Sequence, residues 1–297
     1  MKRFFLPLLA LALLGGLVPV RALTESEAKA GRAIVKRYAD AVVSVELVVS
    51  MDVSMNGHSL PSRETRRATS GTVVSPAGLT VAALSSLDPH SEMDRVRAAV
   101  RSAVGAAAHS MTLGEAQFKE VKLRLGDGTE VPARMVLKDP DNDLAFIAPE
   151  AGAAPGRVFF AVDLSKEAKA EVLAPYFDIS RSSKELQRIP MVDATTIGGI
   201  VERPRRLYLL TIESIGCPVF NGQGDVLGIC VRYINNGEAV RSMVMPAGQV
   251  AEIAKQAAVA AAKPPAEPAP ASDDANADDA PAAPAKPAAV PKPASKS

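Results

Sequence analysis

The chain has 297 residues, of which 47% are hydrophobic and only 4% are aromatic, and it contains no Trp. It is long enough for one or two domains, with a core built from aliphatic rather than aromatic side chains. Its 34 basic and 33 acidic residues leave a formal net charge of +1, which excludes the strong basic field typical of proteins that bind nucleic acid or anionic membranes.

The first residues have the pattern of a secretory signal peptide. Lys2 and Arg3 precede a long apolar run, and residues 20–22 place small side chains where signal peptidase cuts. We expect cleavage after Ala22 and export to the periplasm or out of the cell, which leaves no stable membrane span. The alternative is an uncleaved anchor, although the run is near the short limit for a bilayer span.

The next segments predict a helix and then a strand. Thr24 and Glu27 have the spacing of a capping box, so a helix should run from there to about Tyr38. Residues 41–50 alternate between apolar and polar side chains, which predicts a half-buried strand. The polar stretch 51–67 is interpreted as a hairpin or loop.

Many short apolar runs separated by turn residues follow. They favour an all-β barrel or sandwich. Helical spacing predicts a helical insertion at 93–107 and a closing helix at 247–262. The predicted strands cover 69–74, 79–84, 121–125, 130–137, 158–162, 170–176, 194–201, 206–212, 219–220, 226–230 and 239–245, with a turn at 221–225.

Composition divides the chain into three parts. After the signal peptide at 1–22, residues 23–262 form one predicted domain, with barrel 1 at about 39–150 and barrel 2 at about 156–246. The segment 263–297 is rich in Pro and Ala and has few side chains to bury, so we expect a disordered tail.

The stretch 211–230 carries the motif on which the functional prediction depends. It reads T-I-E-S-I-G-C-P-V-F-N-G-Q-G-D-V-L-G-I-C, a tight loop followed by a hairpin. This order resembles the nucleophile loop of trypsin-like serine proteases, G-x-S-G-G-P-L followed by a hairpin. Gly216, Pro218 and Gly228 match that pattern, while Ile215 stands where the family has its serine.

Two earlier stretches resemble the HtrA/DegP-like branch of that family, in the same order. In S-G-T-V-V-S-P-A-G-L-T-V-A-A-L-S-S-L, residues 70–87, Ser85 stands at the position of the catalytic histidine. In D-P-D-N-D-L-A-F-I, residues 139–147, Asp143 occupies the position of the catalytic aspartate. The resemblance spans about 39–262 and implies an all-β, trypsin-like double β-barrel.

The same resemblance implies a degenerate catalytic triad. A serine protease needs a hydroxyl nucleophile and an imidazole base, and Ile215 and Ser85 supply neither. Loss of either group alone costs about a millionfold in a well-studied triad. The oxyanion-loop positions are Glu213 and Gly216, and Glu213 replaces a glycine there. We therefore expect no competent catalytic residue at Ser85, Asp143 or Ile215.

The leading hypothesis is an exported pseudoprotease that binds a peptide or protein, or serves as a structural module of the cell envelope. One alternative is an active endopeptidase with a shifted catalytic set, Ser214 or Cys217 with His90. Another is an unrelated β-rich envelope binding protein. We predict no metal and no cofactor, because no His/Cys group has ligand spacing and no phosphate loop is present. The sequence predicts no nucleic-acid partner and does not indicate the oligomeric state.

Cys217 and Cys230 are the two cysteines of the chain. An even number of cysteines in an exported protein favours a disulfide, and these two lie on the arms of one hairpin. The bond also requires that both side chains point to the same face at facing positions. Two buried thiols are the alternative.

Overall fold

The structure is a computed structural model that describes residues 23–55, 58–88, 111–113, 117–211, 214–235 and 238–264. The predicted signal peptide, the predicted helical insertion and nearly all of the predicted tail lie outside the described residues. The chain up to Lys263 forms one compact unit.

The described elements are three α-helices and fourteen β-strands. The helices are α1 (Glu25–Tyr38), α2 (Leu84–Leu87) and α3 (Ala247–Ala261). The strands are β1 (Val42–Met55), β2 (His58–Val73), β3 (Thr80–Ala83), β4 (Met111–Leu113), β5 (Gln117–Arg124), β6 (Glu130–Asp139), β7 (Leu144–Pro149), β8 (Pro175–Arg181), β9 (Pro190–Thr196), β10 (Gly199–Val201), β11 (Leu207–Leu209), β12 (Pro218–Asn221), β13 (Val226–Asn235) and β14 (Glu238–Pro246).

The N-terminal helix α1 begins as its sequence predicts. The Thr24 hydroxyl accepts from the Glu27 amide at 3.2 Å, and the Glu27 carboxylate accepts from the Thr24 amide at 2.8 Å. This reciprocal pair satisfies two donors that a helix start would otherwise leave without partners. At the other end, the Tyr38 hydroxyl donates to the Gly224 carbonyl at 2.9 Å and joins the helix to the second sheet.

The first sheet closes into a six-stranded barrel. Its strands follow the order β2-β3-β7-β6-β5-β1, and β1 also pairs with β2, which completes the ring. The alternation predicted for residues 41–50 points Val43, Val45, Leu47 and Val49 into the barrel, where all four are buried. Closure removes the free strand edges that an open sheet would expose.

The second sheet curls, and its two end strands, β9 and β10, follow each other along the chain. Its order is β10-β11-β14-β13-β12-β8-β9, and only Ile197 and Gly198 separate β9 from β10. A glycine at this point lets one continuous segment bend and supply both end strands. The Gly198 amide donates to the Leu209 carbonyl at 2.8 Å, which continues the pairing through the bend.

The closed barrel beside a second curled sheet confirms the predicted all-β class and the trypsin-like double-barrel fold. The closing helix α3 also lies where the sequence places it, with Val250 and Ala257 fully buried. The stretch 51–67 is a strand hairpin rather than a loop, because β1 and β2 extend to either side of residues 56–57.

Two predicted strands were wrong. Residues 158–162 form no strand, and only the amides of Phe159 and Val162 bond to barrel 1. The side chains of Phe159 and Val162 are buried, whereas Val158 and Phe160 are exposed, so burial accounts for part of the apolar pattern without a β-ladder. In the segment 170–176, Leu173 adopts φ 66°, a left-handed conformation that interrupts an extended chain, and β8 begins only at Pro175.

Candidate functional site

Asp143 is presented by a tight turn at the start of β7. The preceding residues Pro140–Asn142 form a short 3-10 helix, and the Asp139 carboxylate accepts from the Asn142 amide at 3.2 Å. Asp143 follows in a left-handed conformation with φ 56°. The pattern D-P-D-N-D thus supplies the proline and the Asx side chains that such a turn needs.

The Asp143 carboxylate accepts three hydrogen bonds from two parts of the fold. It accepts from the Ser85 amide at 2.7 Å and from the Ser85 hydroxyl at 3.1 Å. It also accepts from the Arg232 amide on β13 at 2.6 Å. Burial raises the pKa of Asp143, and these hydrogen bonds act in the opposite direction. The carboxylate therefore ties the second sheet to barrel 1.

The loop that holds Ile215 packs against barrel 1. The Gly216 carbonyl accepts from the Thr72 hydroxyl at 2.9 Å. A Cβ atom at Gly216 would stand 2.6 Å from the Ser70 carbonyl oxygen and 3.1 Å from the Ala83 amide, and the φ of Gly216 is +80°. Only glycine fits this approach.

These contacts bring the three triad positions to one junction. Ser85 and Asp143 are directly bonded, and the loop of Ile215 lies against the end of β3, two residues before Ser85. The arrangement offers a hydroxyl and a carboxylate beside an alkyl side chain. None of the described residues brings an imidazole to this junction, and Ile215 carries no nucleophile.

The oxyanion-loop positions are only partly described. The Gly216 amide donates to the Cys230 carbonyl at 2.7 Å, so this donor is already engaged. Glu213 lies outside the described residues.

Cys217 and Cys230 are buried thiols that no disulfide joins, so the structure does not contain the bond considered from the sequence. Their backbones are paired, since the Cys230 amide donates to the Cys217 carbonyl at 2.9 Å. Burial raises the pKa of the Cys217 thiol well above its ordinary value. Because the thiolate is the reactive form of cysteine, this environment disfavours Cys217 as a nucleophile.

The shifted catalytic set is not assembled among the described residues. His90 and His109 lie outside them. His58 stands at the start of β2 and is exposed. The Ser214 hydroxyl faces the carboxyl of Asp178 rather than an imidazole.

Asp178 is a buried carboxyl that the sequence analysis did not single out. Asp178 lies on β8, and its side chain has no exposed surface. Within the described part of the chain, neither of its carboxyl oxygens forms a hydrogen bond of ordinary geometry. Burial raises its pKa to about 6, the Asp193 charge adds to this, and Ser214 opposes it. The signal in the sequence was one acidic residue inside the apolar run 176–179.

Within the described ranges, no group of His, Cys, Asp or Glu side chains is arranged to hold a metal ion. None of the described helices is long and apolar enough to cross a membrane.

Many solved structures resemble the chain, among them the following two. The chain is similar to the MamO protease domain from Magnetospirillum magneticum in its apo form, with 17% identity over 73% of this chain and 97% of that one, at a TM-score of 0.42. It is also similar to Deg5, with 18% identity over 77% of this chain and 94% of that one, at a TM-score of 0.49. No family model matches the chain, and no curated protein matches it.

Proposed function

We propose that the chain is an exported trypsin-fold protein that binds an extended peptide at the junction of its two barrels without cleaving it. The observation that carries this proposal is the engagement of Asp143. Ser85 fills the place of the catalytic base and uses both its amide and its hydroxyl to bond that carboxylate. Ile215 offers no group that could attack a peptide bond.

The geometry of β13 supports peptide binding by strand addition. Its pairing with β12 ends at Ile229, whereas its pairing with β14 continues to Asn235. Beyond Arg232, which bonds Asp143, the described pairings of β13 involve β14 alone. An extended peptide can bond to such an edge through its main chain.

The first experiment tests for hydrolysis. The full chain is incubated with a fluorophosphonate probe, with iodoacetamide under native conditions, and with unfolded casein, beside trypsin as a positive control. We expect no fluorophosphonate adduct, no casein fragments, and labelling of Cys217 and Cys230 only after unfolding. The proposal is overturned by casein turnover that tracks with a modified Ser214 or Cys217.

The second experiment tests for binding. A fluorescein-labelled peptide with a central Ala-Val alternation flanked by Gln is titrated with the protein, and its anisotropy is followed. We expect saturable binding and recovery of the intact peptide by mass spectrometry. A flat titration would refute the peptide-binding part of the proposal.

A further inference from the structure

A groove of about 580 Å³ lies between barrel 1 and the loop that joins β8 to β9. One wall is the outer face of β1, β2 and β5, and the other is the segment 181–188. The groove begins beside the junction described above. Ser70 lines it, and the Ser70 carbonyl oxygen lies 2.6 Å from where a Cβ atom at Gly216 would stand. A peptide that leaves the Ile215 loop along this side would enter the groove.

The groove carries a local excess of positive charge in a chain that is almost neutral. Seven basic side chains line it against three carboxylates. The basic residues are Arg66, Arg67, Lys122, Arg124, Arg181, Lys184 and Arg188, and the acidic ones are Glu46, Glu120 and Glu185.

Ion pairs engage part of this excess. Glu130, outside the groove, pairs with Lys122 at 2.7 Å and with Arg124, and Glu185 pairs with Lys184 at 3.8 Å. Seven basic side chains still face four carboxylates when Glu130 is counted.

Glu46 accepts from Arg124 at 3.0 Å and from Arg188 at 2.6 Å, so one carboxylate serves two guanidinium groups. All three side chains are largely buried, with 15–24% of their surface exposed. Partial burial weakens the screening of these charges by salt.

Arg181 adds a charge that hydrogen bonds hold but do not neutralise. Its guanidinium donates to the carbonyls of Val42 at 2.7 Å, Ala39 at 2.6 Å and Arg188 at 3.2 Å. Carbonyl groups are neutral, and the nearby Asp40 carboxylate offsets only part of the Arg181 charge. At the rim, Arg66 and Lys184 are exposed and can reach a bound side chain.

We propose that this groove, which we call the basic groove, selects peptides that carry Asp or Glu beside the segment bound at the Ile215 loop. The inference rests on the proposed peptide-binding function and specifies its ligand. Carboxylates on an extended chain match guanidinium donors in geometry as well as charge. The groove is contiguous with the peptide site, which favours an acidic peptide over a separate polyanion.

The test compares three fluorescein-labelled peptides with the same central Ala-Val alternation, flanked on both ends by Glu, by Gln or by Lys. Anisotropy titrations use the full chain at low and at high salt. We expect the Glu peptide to bind about tenfold more tightly than the Gln peptide at low salt, as two or three partly exposed ion pairs would give, and the Lys peptide to bind more weakly than either. High salt should reduce the difference.

Charge-reversal variants locate the binding. Arg66→Glu with Lys184→Glu should remove the advantage of the Glu peptide and leave the Gln peptide unchanged. Lys166→Glu with Lys255→Glu makes the same change in net charge at exposed positions outside the groove, and it should leave both affinities within about twofold. Thermal melts verify that both variants are folded.

The outcomes separate this inference from the proposed function. If the Gln peptide binds and the Glu peptide has no advantage, or keeps it in the groove variant, the basic groove does not select acidic peptides and the peptide site stands. If no peptide binds, both fail. A short oligothymidylate that binds as tightly as the Glu peptide and competes with it would also overturn the inference, because the groove would then be a general polyanion site.

Discussion

Asp143 matches a catalytic aspartate in the sequence motif but has the contacts of a structural carboxylate. Its three donors come from Ser85, just after β3, and from the Arg232 amide on β13. A buried carboxylate is tolerated when hydrogen bonds replace its lost hydration. The Asp143 carboxylate therefore stabilises the junction between barrel 1 and the second sheet. No described residue places an imidazole beside it that it could orient.

Asp178 is the opposite case, a buried carboxyl at which burial outweighs the opposing effect of the Ser214 hydroxyl. Its pKa rises from an ordinary 3.8 to about 6. Because the folded state takes up the proton more readily than the unfolded state, the chain becomes more stable as the pH falls from above 6 towards 4. A shift of this size corresponds to about 3 kcal/mol of stability lost by neutral pH.

We therefore expect Asp178→Asn to raise the free energy of unfolding by about 1–3 kcal/mol at pH 8 and to have a much smaller effect at pH 4.5. The physical reason is that asparagine occupies the same volume without a charge to desolvate. Urea titrations at both pH values, with Asp52→Asn as an exposed control on β1, measure the difference. An equal effect at both pH values would show that Asp178 is not the titrating group.

At the scale of elements, the β13–β14 pair depends on one glycine. Gly228 faces Pro246, and a Cβ atom at Gly228 would stand 1.8 Å from the Met245 carbonyl oxygen, which is backbone and cannot turn away. In the sequence this glycine matches the family motif after the nucleophile loop. In the structure it matters because two strands cross too closely for any side chain.

We expect Gly228→Ala to destabilise the chain by about 3 kcal/mol or more, because β13 and β14 must move apart. Gly199→Ala is the matched control, since a Cβ atom at Gly199 meets nothing within 4 Å. It should change stability by no more than about 0.5 kcal/mol. Thermal and urea unfolding measure both, and similar values for the two variants would contradict the close approach.

At the scale of the whole molecule, one apolar cluster joins the two sheets. It contains Val81 and Phe146 from barrel 1 together with Phe177, Phe220 and Ile229 from the second sheet, all of them buried. Two barrels that share a core cannot expose it separately without a large loss of buried area.

The shared cluster predicts one cooperative unfolding transition. Phe146→Ala in barrel 1 should cost about 3–5 kcal/mol and should shift the transition of the second sheet equally. Tyr176 and Tyr208 are buried in that sheet, and the chain has no Trp, so tyrosine fluorescence reports on it while far-UV circular dichroism reports on the whole. A tyrosine transition that keeps its wild-type midpoint would show that the barrels unfold independently.

The local elements and the order of the motifs could be predicted from the sequence. The Thr24 capping box, the alternation in β1 and the D-P-D-N-D turn depend on neighbours a few residues apart, which is the range over which capping, strand period and turn chemistry act. The sequence also predicted the all-β class, because short strands and turns recur throughout the chain. At 158–162 the strand prediction failed, because Phe159 and Val162 are buried without a β-ladder while Val158 and Phe160 are exposed.

The contacts between those elements, and the burial and charge that result, depend on the tertiary structure. Each of three features depends on residues that are far apart along the chain. They are the three hydrogen bonds to Asp143, the burial of Asp178 and the charge of the basic groove. Arg66 and Arg181 line one groove only because β2 packs beside the β8–β9 loop. Desolvation and Coulomb energies depend on distance in space, so a motif can mark the place of a site while the fold sets its chemistry.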